Sequence, residues 1–260
     1  MGLQYELMLQ QLLNEAPSLL PALAIFAVAI PIELLFGTGR RAQWSERMGN
    51  IGAMLLHFAA GGLLLNAMLA QPWGILILGF PETPRTTLLQ NPIVWTIALI
   101  FVTDGLFYIY HRLQHAVPLL WHVHKLHHTD PEMNITTSKR SHFLERPLQF
   151  IVFGAPALWI TGVNYEGLAY ATVCGPFFLY FAHLDLRLPL GPLTAIIVGP
   201  QYHRIHHSKA GSEQNANFAQ AFPLFDMLGG TYKRPAQDEY PDTGVLECNT
   251  ATKRWTPLIW

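Results

Sequence analysis

The chain has 260 residues, of which 51% are hydrophobic and 13% are charged, and its formal net charge is −1. The charged fraction is about half that of an average soluble domain, and the apolar residues occur in blocks that are too long for ordinary core helices. The composition therefore predicts an integral membrane protein. Nucleic acid is not expected among its partners. With only Cys174 and Cys248, the chain has neither a disulfide framework nor a cysteine metal site.

In chain order, the first feature is an N-terminal stretch that contains Glu6 and Glu15 but no basic residue, which is not typical of a cleavable signal peptide. Membrane-crossing helices need about 20 residues. About four or five transmembrane helices are predicted on that basis. The candidate spans are residues 19–36, 50–70, 92–110, 147–162 and 165–186. The fourth is short and contains Pro156, so we expect it to tilt or to cross only partly. Residues 73–80 and 192–199 are apolar but shorter, which predicts interfacial or re-entrant segments.

The basic residues predict the orientation of these spans, because Lys and Arg are retained on the cytoplasmic side. They follow the first, third and fifth spans, and only Arg85 lies in a connection assigned to the other face. The N-terminus should therefore lie outside and the C-terminus inside, with every histidine cluster at the cytoplasmic ends of the spans. We predict a single all-α domain over residues 1–260. It would be a membrane helical bundle whose cytoplasmic helical cap, built from residues 111–146 and 187–260, holds a histidine-rich di-metal centre.

Ten of the 12 histidines are candidate metal ligands. One pair ends the third span as H-x-x-x-H, and two clusters have the spacing H-x-x-H-H, which places side chains on one face of a helix. Imidazole binds iron, zinc and copper, and a set this large exceeds what one metal with an open position can use. Two metals are therefore expected. The candidates are His111, His115, His124, His127, His128, His142, His183, His203, His206 and His207. A structural role stays open for His142.

The positions of three other residues predict their roles. Asp104 lies on the same face of the third span as His111, and a carboxylate inside a membrane segment usually has an internal partner. We expect it to be a ligand or an acceptor for a metal-binding histidine, the alternative being a polar helix end. His57 should be a buried packing or hydrogen-bonded residue, and His122 should point away from the other histidines of its helix.

The segments HRLQH, WHVHKLHHTDPEMNITTSKRSHFLE, FAHLDLRLP and YHRIHHS, followed by NANF and FDMLGGTY, resemble the histidine boxes of the fatty acid hydroxylase and sterol desaturase superfamily. The MNITTSKRSH stretch is most similar to its bacterial sterol-desaturase-like branch. The resemblance covers about residues 95–235. It implies an integral protein of the bacterial inner membrane with a cytoplasmic centre of two iron ions, which activates O2 to oxidise a C–H bond of a lipid. The candidate histidines match family ligands by position, although His142 aligns with a histidine of less settled role. Phe143 and Asp185 depart from the usual proline and asparagine.

The expected function is therefore that of a di-iron monooxygenase that hydroxylates or desaturates a lipid or another membrane-soluble substrate. Its electrons must come from a ferredoxin, a cytochrome b5-like protein or an NAD(P)H reductase, because the chain has no dinucleotide-binding glycine loop and no cysteine cluster. The same imidazoles could instead hold two zinc ions in a hydrolase, or serve a non-enzymatic metal-binding protein. Zinc could also replace iron during purification, since it stands higher in the Irving–Williams order.

Overall fold

The computed structural model describes residues 19–38, 44–72, 74–81, 83–210 and 213–245. Within these residues every regular element is helical, and the β pairing is limited to an isolated bridge between Ser208 and Thr243. The acidic N-terminal stretch with Glu6 and Glu15, and Cys248, lie outside the described residues. The all-α prediction is confirmed for the described part of the chain.

The ten α-helices found in the described residues are numbered in chain order. The first five are α1 (Leu19–Phe36), α2 (Trp44–Leu69), α3 (Gly74–Leu78), α4 (Pro92–Ala116) and α5 (Pro118–His128). The other five are α6 (Glu145–Gln149), α7 (Ala155–Thr161), α8 (Tyr165–Ala182), α9 (Pro200–His206) and α10 (Leu224–Gly229). A π-helical turn, Phe150–Gly154, joins α6 to α7. Each predicted span coincides with a helix or, for the fourth, with this α6–α7 pair.

Two of these helices, α2 and α4, are long and apolar enough to cross a membrane. Their most apolar windows are only 22% and 28% buried, so most of their apolar surface faces outward. Leu63 on α2 and Ile93 on α4 are 72% and 62% exposed. Large exposed apolar surfaces of this kind are unfavourable in water and typical of contact with lipid. These features are those of a membrane protein.

Local sequence fixes the sharp turn between α4 and α5, which both carry histidines. Asn91 caps α4 by accepting the backbone N–H groups of Ile93 and Val94, and Pro92 occupies the first helical turn. At the other end, Pro118 disfavours helical conformation at Val117, whose φ and ψ are −102° and 116°. Pro118 then begins α5. The chain therefore folds back within two residues and brings the histidines of the two helices together.

The helix ends separate into two groups at opposite sides of the bundle. At one side, the Arg85 guanidinium donates to the carbonyl of Trp159 at 2.9 Å, and the Asn164 amide donates to the carbonyl of Gln90 at 3.0 Å. At the other side, Glu33 near the end of α1 pairs with Arg47 of α2 at 2.8 Å. The histidines of α4, α5 and α9 lie at this second side.

Candidate metal centre

Nine of the predicted ligands converge into two groups. The first group contains His111, His115, His124, His128 and His206, and the second contains His127, His183, His203 and His207. Within each group, one ring nitrogen of every member lies within 4.8 Å of those of the others. Each H-x-x-H-H cluster is divided between the groups, so α5 and α9 both contribute to two sites.

The first group is built around the Nε2 atom of His111 on α4. It lies 3.0 Å from Nε2 of His124 and 3.0 Å from Nε2 of His206. Nε2 of His128 lies 3.2 Å from Nε2 of both His115 and His124. Side chains from α4, α5 and α9 therefore point one nitrogen each at a common position.

The second group is a chain of close Nε2 contacts. His183 lies 3.2 Å from His127 and 3.2 Å from His203, and His203 lies 3.1 Å from His207. The ring centroids of His128 and His207 lie 4.3 Å apart with an interplanar angle of 17°. The two groups are therefore in contact through these stacked imidazole rings.

Backbone carbonyls explain why these nitrogens are suited to metals. The Nδ1 atoms of His111, His206 and His183 lie 2.7, 2.9 and 2.7 Å from the carbonyls of Phe218, Ala216 and Leu179. A carbonyl can only accept, so Nδ1 carries the proton of each neutral ring and Nε2 presents a lone pair. Lone pairs of His111 and His206 that face each other at 3.0 Å repel unless a cation lies between them. The donor set therefore fits metal ions.

Several candidate ligands do not lie in membrane helices, and burial keeps these histidines neutral. Desolvation of the charged form lowers the pKa of His124 from 6.5 to about 3. The same cause lowers the pKa values of a further set well below the usual range. These are His127, His128, His203, His206 and His207. Imidazole must be unprotonated to bind a metal, so the site is ready for metal at neutral pH.

Sequence reasoning missed Glu145 as a site residue. This carboxylate is 2% exposed, and its Oε1 lies 3.2 Å from Nδ1 of His124. Gln114 donates to Oε1 at 2.6 Å, and Tyr110 donates to Oε2 at 3.3 Å. Carboxylates in this position orient a histidine ligand and increase its basicity. The sequence did offer one indication of a buried polar partner, because Gln114 is a polar residue three positions after His111.

The remaining predicted residues lie apart from both groups. Asp104, which was expected beside a metal-binding histidine, instead accepts the backbone N–H groups of Gln220, Ala221 and Phe222. His142 belongs to neither group, since its Nδ1 accepts the N–H of Leu144 at 3.2 Å. The His142 carbonyl lies 3.1 Å from Nδ1 of His57, which confirms His57 as a buried, hydrogen-bonded residue. His122 is exposed on α5 and lies outside both groups, as expected.

A mostly apolar cavity of about 200 Å³ lies beside α4 and α8. Phe107 lines it, and the Phe107 ring centroid lies 5.0 Å from that of His111. Phe153 and Phe178 line the same cavity, as do Gln220 and Ala221. An apolar substrate in this cavity would be separated from the first group by little more than one aromatic ring.

The family to which the chain belongs agrees with these features. The fatty acid hydroxylase family matches residues 96–231, which include every histidine of both groups, and the chain belongs to this family. The resemblance predicted from the histidine boxes is thereby confirmed.

Several relatives are lipid enzymes. The chain is 30% identical over 149 residues to the ornithine lipid hydroxylase of Rhizobium tropici, which covers 57% of this chain and 44% of the relative. It is 28% identical over 144 residues to alkylglycerol monooxygenase of Homo sapiens, with 55% and 32% covered. It is 31% identical over 192 residues to a very-long-chain aldehyde decarbonylase of Oryza sativa subsp. indica, with 65% and 29% covered. The chain thus spans less than half the length of these relatives. No solved structure matches it significantly.

Proposed function

We propose that this protein is an O2-dependent monooxygenase of the membrane that hydroxylates a C–H bond of a lipid. The observation that carries the proposal is the convergence of two sets of Nε2 lone pairs beside an apolar cavity. Membership of the fatty acid hydroxylase family supports it, as do relatives named for ornithine lipids and alkylglycerols. Desaturation is the alternative outcome, because both reactions begin with removal of hydrogen from the same kind of carbon.

The two histidine groups would each hold one iron ion. When bound, the iron pair would supply the activation of O2 that an unactivated C–H bond requires. The contribution of the chain is to keep the imidazoles neutral and their Nε2 atoms aimed at two positions. Glu145 supports His124 in this way, and the carbonyls of Ala216 and Phe218 support His206 and His111.

The cavity would bind the acyl or alkyl part of the substrate. Phe107, Phe153 and Phe178 give it an apolar lining that excludes water and favours hydrocarbon. Phe107 also contacts the ring of His111, so the substrate chain would approach the first group at the Phe107 ring.

Hydroxylation places one oxygen atom of O2 in the lipid and releases the other as water, so two electrons and two protons must be supplied. An external donor is therefore part of the proposal. A ferredoxin, a cytochrome b5-like protein or an NAD(P)H reductase would each provide electrons of suitable energy.

We further propose that α1, α2, α4, the α6–α7 pair and α8 cross the bilayer as one domain, with the centre on the cytoplasmic side of a bacterial inner membrane. The separation of the helix ends supports this arrangement. Arg85 lies at the side opposite the histidines, and Arg47 and Arg140 lie at the histidine side. Basic residues are enriched at the cytoplasmic side.

Comparative lipid mass spectrometry tests the proposed function. Bacteria that express the chain should accumulate a lipid that carries one additional oxygen atom, and bacteria that express His206→Ala should not. Iron content and O2 consumption of the purified protein separate this activity from hydrolysis by a di-zinc centre. A zinc hydrolase would consume no O2 and would take its new oxygen from water.

A further inference from the structure

We propose that residues 216–222 form a positioning segment for the first histidine group, and that Asp104 and Asp226 are positioning residues that fix this segment. The inference rests on the proposed function only in requiring that the first group binds a metal ion. It concerns how the chain orders two ligands, and its test reads metal binding rather than turnover.

The positioning segment contacts two ligands through its backbone. The carbonyl of Ala216 accepts from Nδ1 of His206 at 2.9 Å, and the carbonyl of Phe218 accepts from Nδ1 of His111 at 2.7 Å. These bonds set the proton position and the ring orientation of both histidines. A shift of either carbonyl would therefore move an Nε2 atom away from the shared position.

Asp104 holds the C-terminal half of the segment. Its Oδ1 accepts the N–H groups of Gln220 and Ala221 at 2.9 and 3.1 Å, and its Oδ2 accepts the N–H of Phe222 at 2.7 Å. Asp104 is 4% exposed and lies on α4, the helix that carries His111. The carboxylate therefore ties the segment to the same helix as the ligand that the segment orients.

Asp226 holds the preceding part of the segment. Its Oδ1 accepts the N–H of Phe218 at 2.7 Å, and its Oδ2 accepts the N–H of Ala219 at 2.8 Å. Thr231 and Tyr202 donate to the same carboxylate at 2.7 and 2.9 Å, and Asp226 is fully buried. The two carboxylates together satisfy five successive backbone N–H groups.

This arrangement takes the place of secondary structure. The segment forms neither helix nor strand, so no backbone ladder fixes the carbonyls of Ala216 and Phe218. A buried carboxylate is retained only when hydrogen bonds compensate its lost hydration. The N–H groups of the segment provide that compensation, and the carboxylates in return give the segment one conformation.

Substitution of Asp104 by Asn is close to isosteric but removes part of this pairing. An amide group has one accepting oxygen, and its NH2 cannot accept the backbone N–H groups that meet the other oxygen. In either orientation at least one N–H of Gln220, Ala221 or Phe222 would face a donor. The segment should shift, and the orientation of His111 and His206 should loosen.

Cobalt(II) binding to the full chain in lipid nanodiscs, in competition with a chelator, tests the proposal. Wild type should bind two ions, and His206→Ala and His203→Ala should identify which affinity belongs to each group. Asp104→Asn and Asp226→Asn should each weaken the first site by about 10–100-fold, as loss of an outer hydrogen bond to a ligand does. Affinity at the second site should stay within about twofold of wild type, which is much less than the change of about 10–100-fold expected at the first site.

Glu33→Gln is the matched control. Glu33 is likewise a buried carboxylate on a membrane helix that accepts backbone N–H groups, but these belong to Ile135 and Asp185. The first site of the Glu33→Gln variant should keep wild-type affinity for cobalt(II). Equal weakening of both sites in Asp104→Asn, no weakening in either, or weakening of the first site by Glu33→Gln would overturn the proposal. If Asp104→Asn fails to fold, Asp226→Asn decides. Wild-type protein that binds no cobalt would instead contradict the proposed function.

Discussion

At the scale of single residues, the surroundings of Nε2 distinguish a metal ligand from a structural histidine. His57 and His111 both bond a backbone carbonyl through Nδ1, at 3.1 and 2.7 Å. Nε2 of His111 then meets Nε2 of His124 and His206 at 3.0 Å, whereas His57 belongs to neither group. Residue type and spacing predicted the nine histidines that converge, but only the contacts of the second nitrogen separate these two cases.

Replacement of a ligand by Ala should remove about one ion and most of the activity, because an open position destroys the fixed geometry of a site. His206→Ala should affect the first ion and His203→Ala the second. His122→Ala is the matched control, since His122 is an exposed histidine of α5, and His142→Ala should also keep both ions. Metal per folded protein measures the effect. Loss of metal in His122→Ala, or full retention in His206→Ala, would refute the assignment.

Glu145 supports a second prediction at this scale. Glu145→Ala would leave Nδ1 of His124 and the side chains of Gln114 and Tyr110 without their acceptor in a buried site. We expect metal affinity to fall by about 10–100-fold. Chelator competition measures it, with Glu166→Gln as a control at an exposed carboxylate of α8. Unchanged affinity in Glu145→Ala would show that His124 needs no such support.

At the scale of helices, α5 shows what periodicity could and could not predict. An α-helix turns by about 100° per residue. His124 and His128 are therefore only about 40° apart around the axis, whereas His127 and His128 are about 100° apart. The spacing correctly predicted one helical face. The division of that face between two sites depends on α4, α8 and α9, which approach from different directions, and local periodicity does not contain that information.

Close approach of α8 to α4 gives a prediction at the same scale. A Cβ at Gly167 would lie 2.5 Å from the ring of Trp95 and 2.9 Å from the carbonyl of Pro92. Gly167→Ala should therefore destabilise the protein by about 1–3 kcal/mol, as overpacking of a core does. Gly175→Ala on the same helix is the control, because a Cβ there meets no atom within 4 Å. It should be neutral or stabilise by up to about 1 kcal/mol. Thermal unfolding in nanodiscs compares them, and a lower Tm for Gly175→Ala than for Gly167→Ala would contradict this packing.

At the scale of the whole molecule, the sequence predicted the helices better than their interruptions. Long apolar blocks predicted the spans, because this signal is local. The π-helical turn at Phe150–Gly154 was not predicted, nor were the hydrogen bonds from the positioning segment to Asp104 and Asp226. Both depend on contacts between residues far apart in the chain. Asp104 was expected beside the histidines, but it acts at one remove, through the segment that orients His111.

Orientation in the membrane is open to cysteine labelling at this scale. In a background with Cys174 and Cys248 replaced by Ser, a cysteine at Arg85 should react with an impermeant maleimide added outside the cell. A cysteine at Asp238, which is exposed in the structure, should react only after the membrane is opened. This follows from the excess of basic residues at the histidine side. The opposite pattern would reverse the orientation and place the centre outside.

The most direct test of the central claim is the origin of the oxygen in the product. Lipids from cells that express the chain are compared by mass spectrometry after growth under 16O2 and under 18O2, with His206→Ala as the inactive control. A lipid hydroxylase should yield a product, absent from the control, whose mass rises by the difference between the two isotopes under 18O2. A chain-dependent product that carries an added oxygen atom but has unchanged mass under 18O2 would contradict the account, because that oxygen would then come from water.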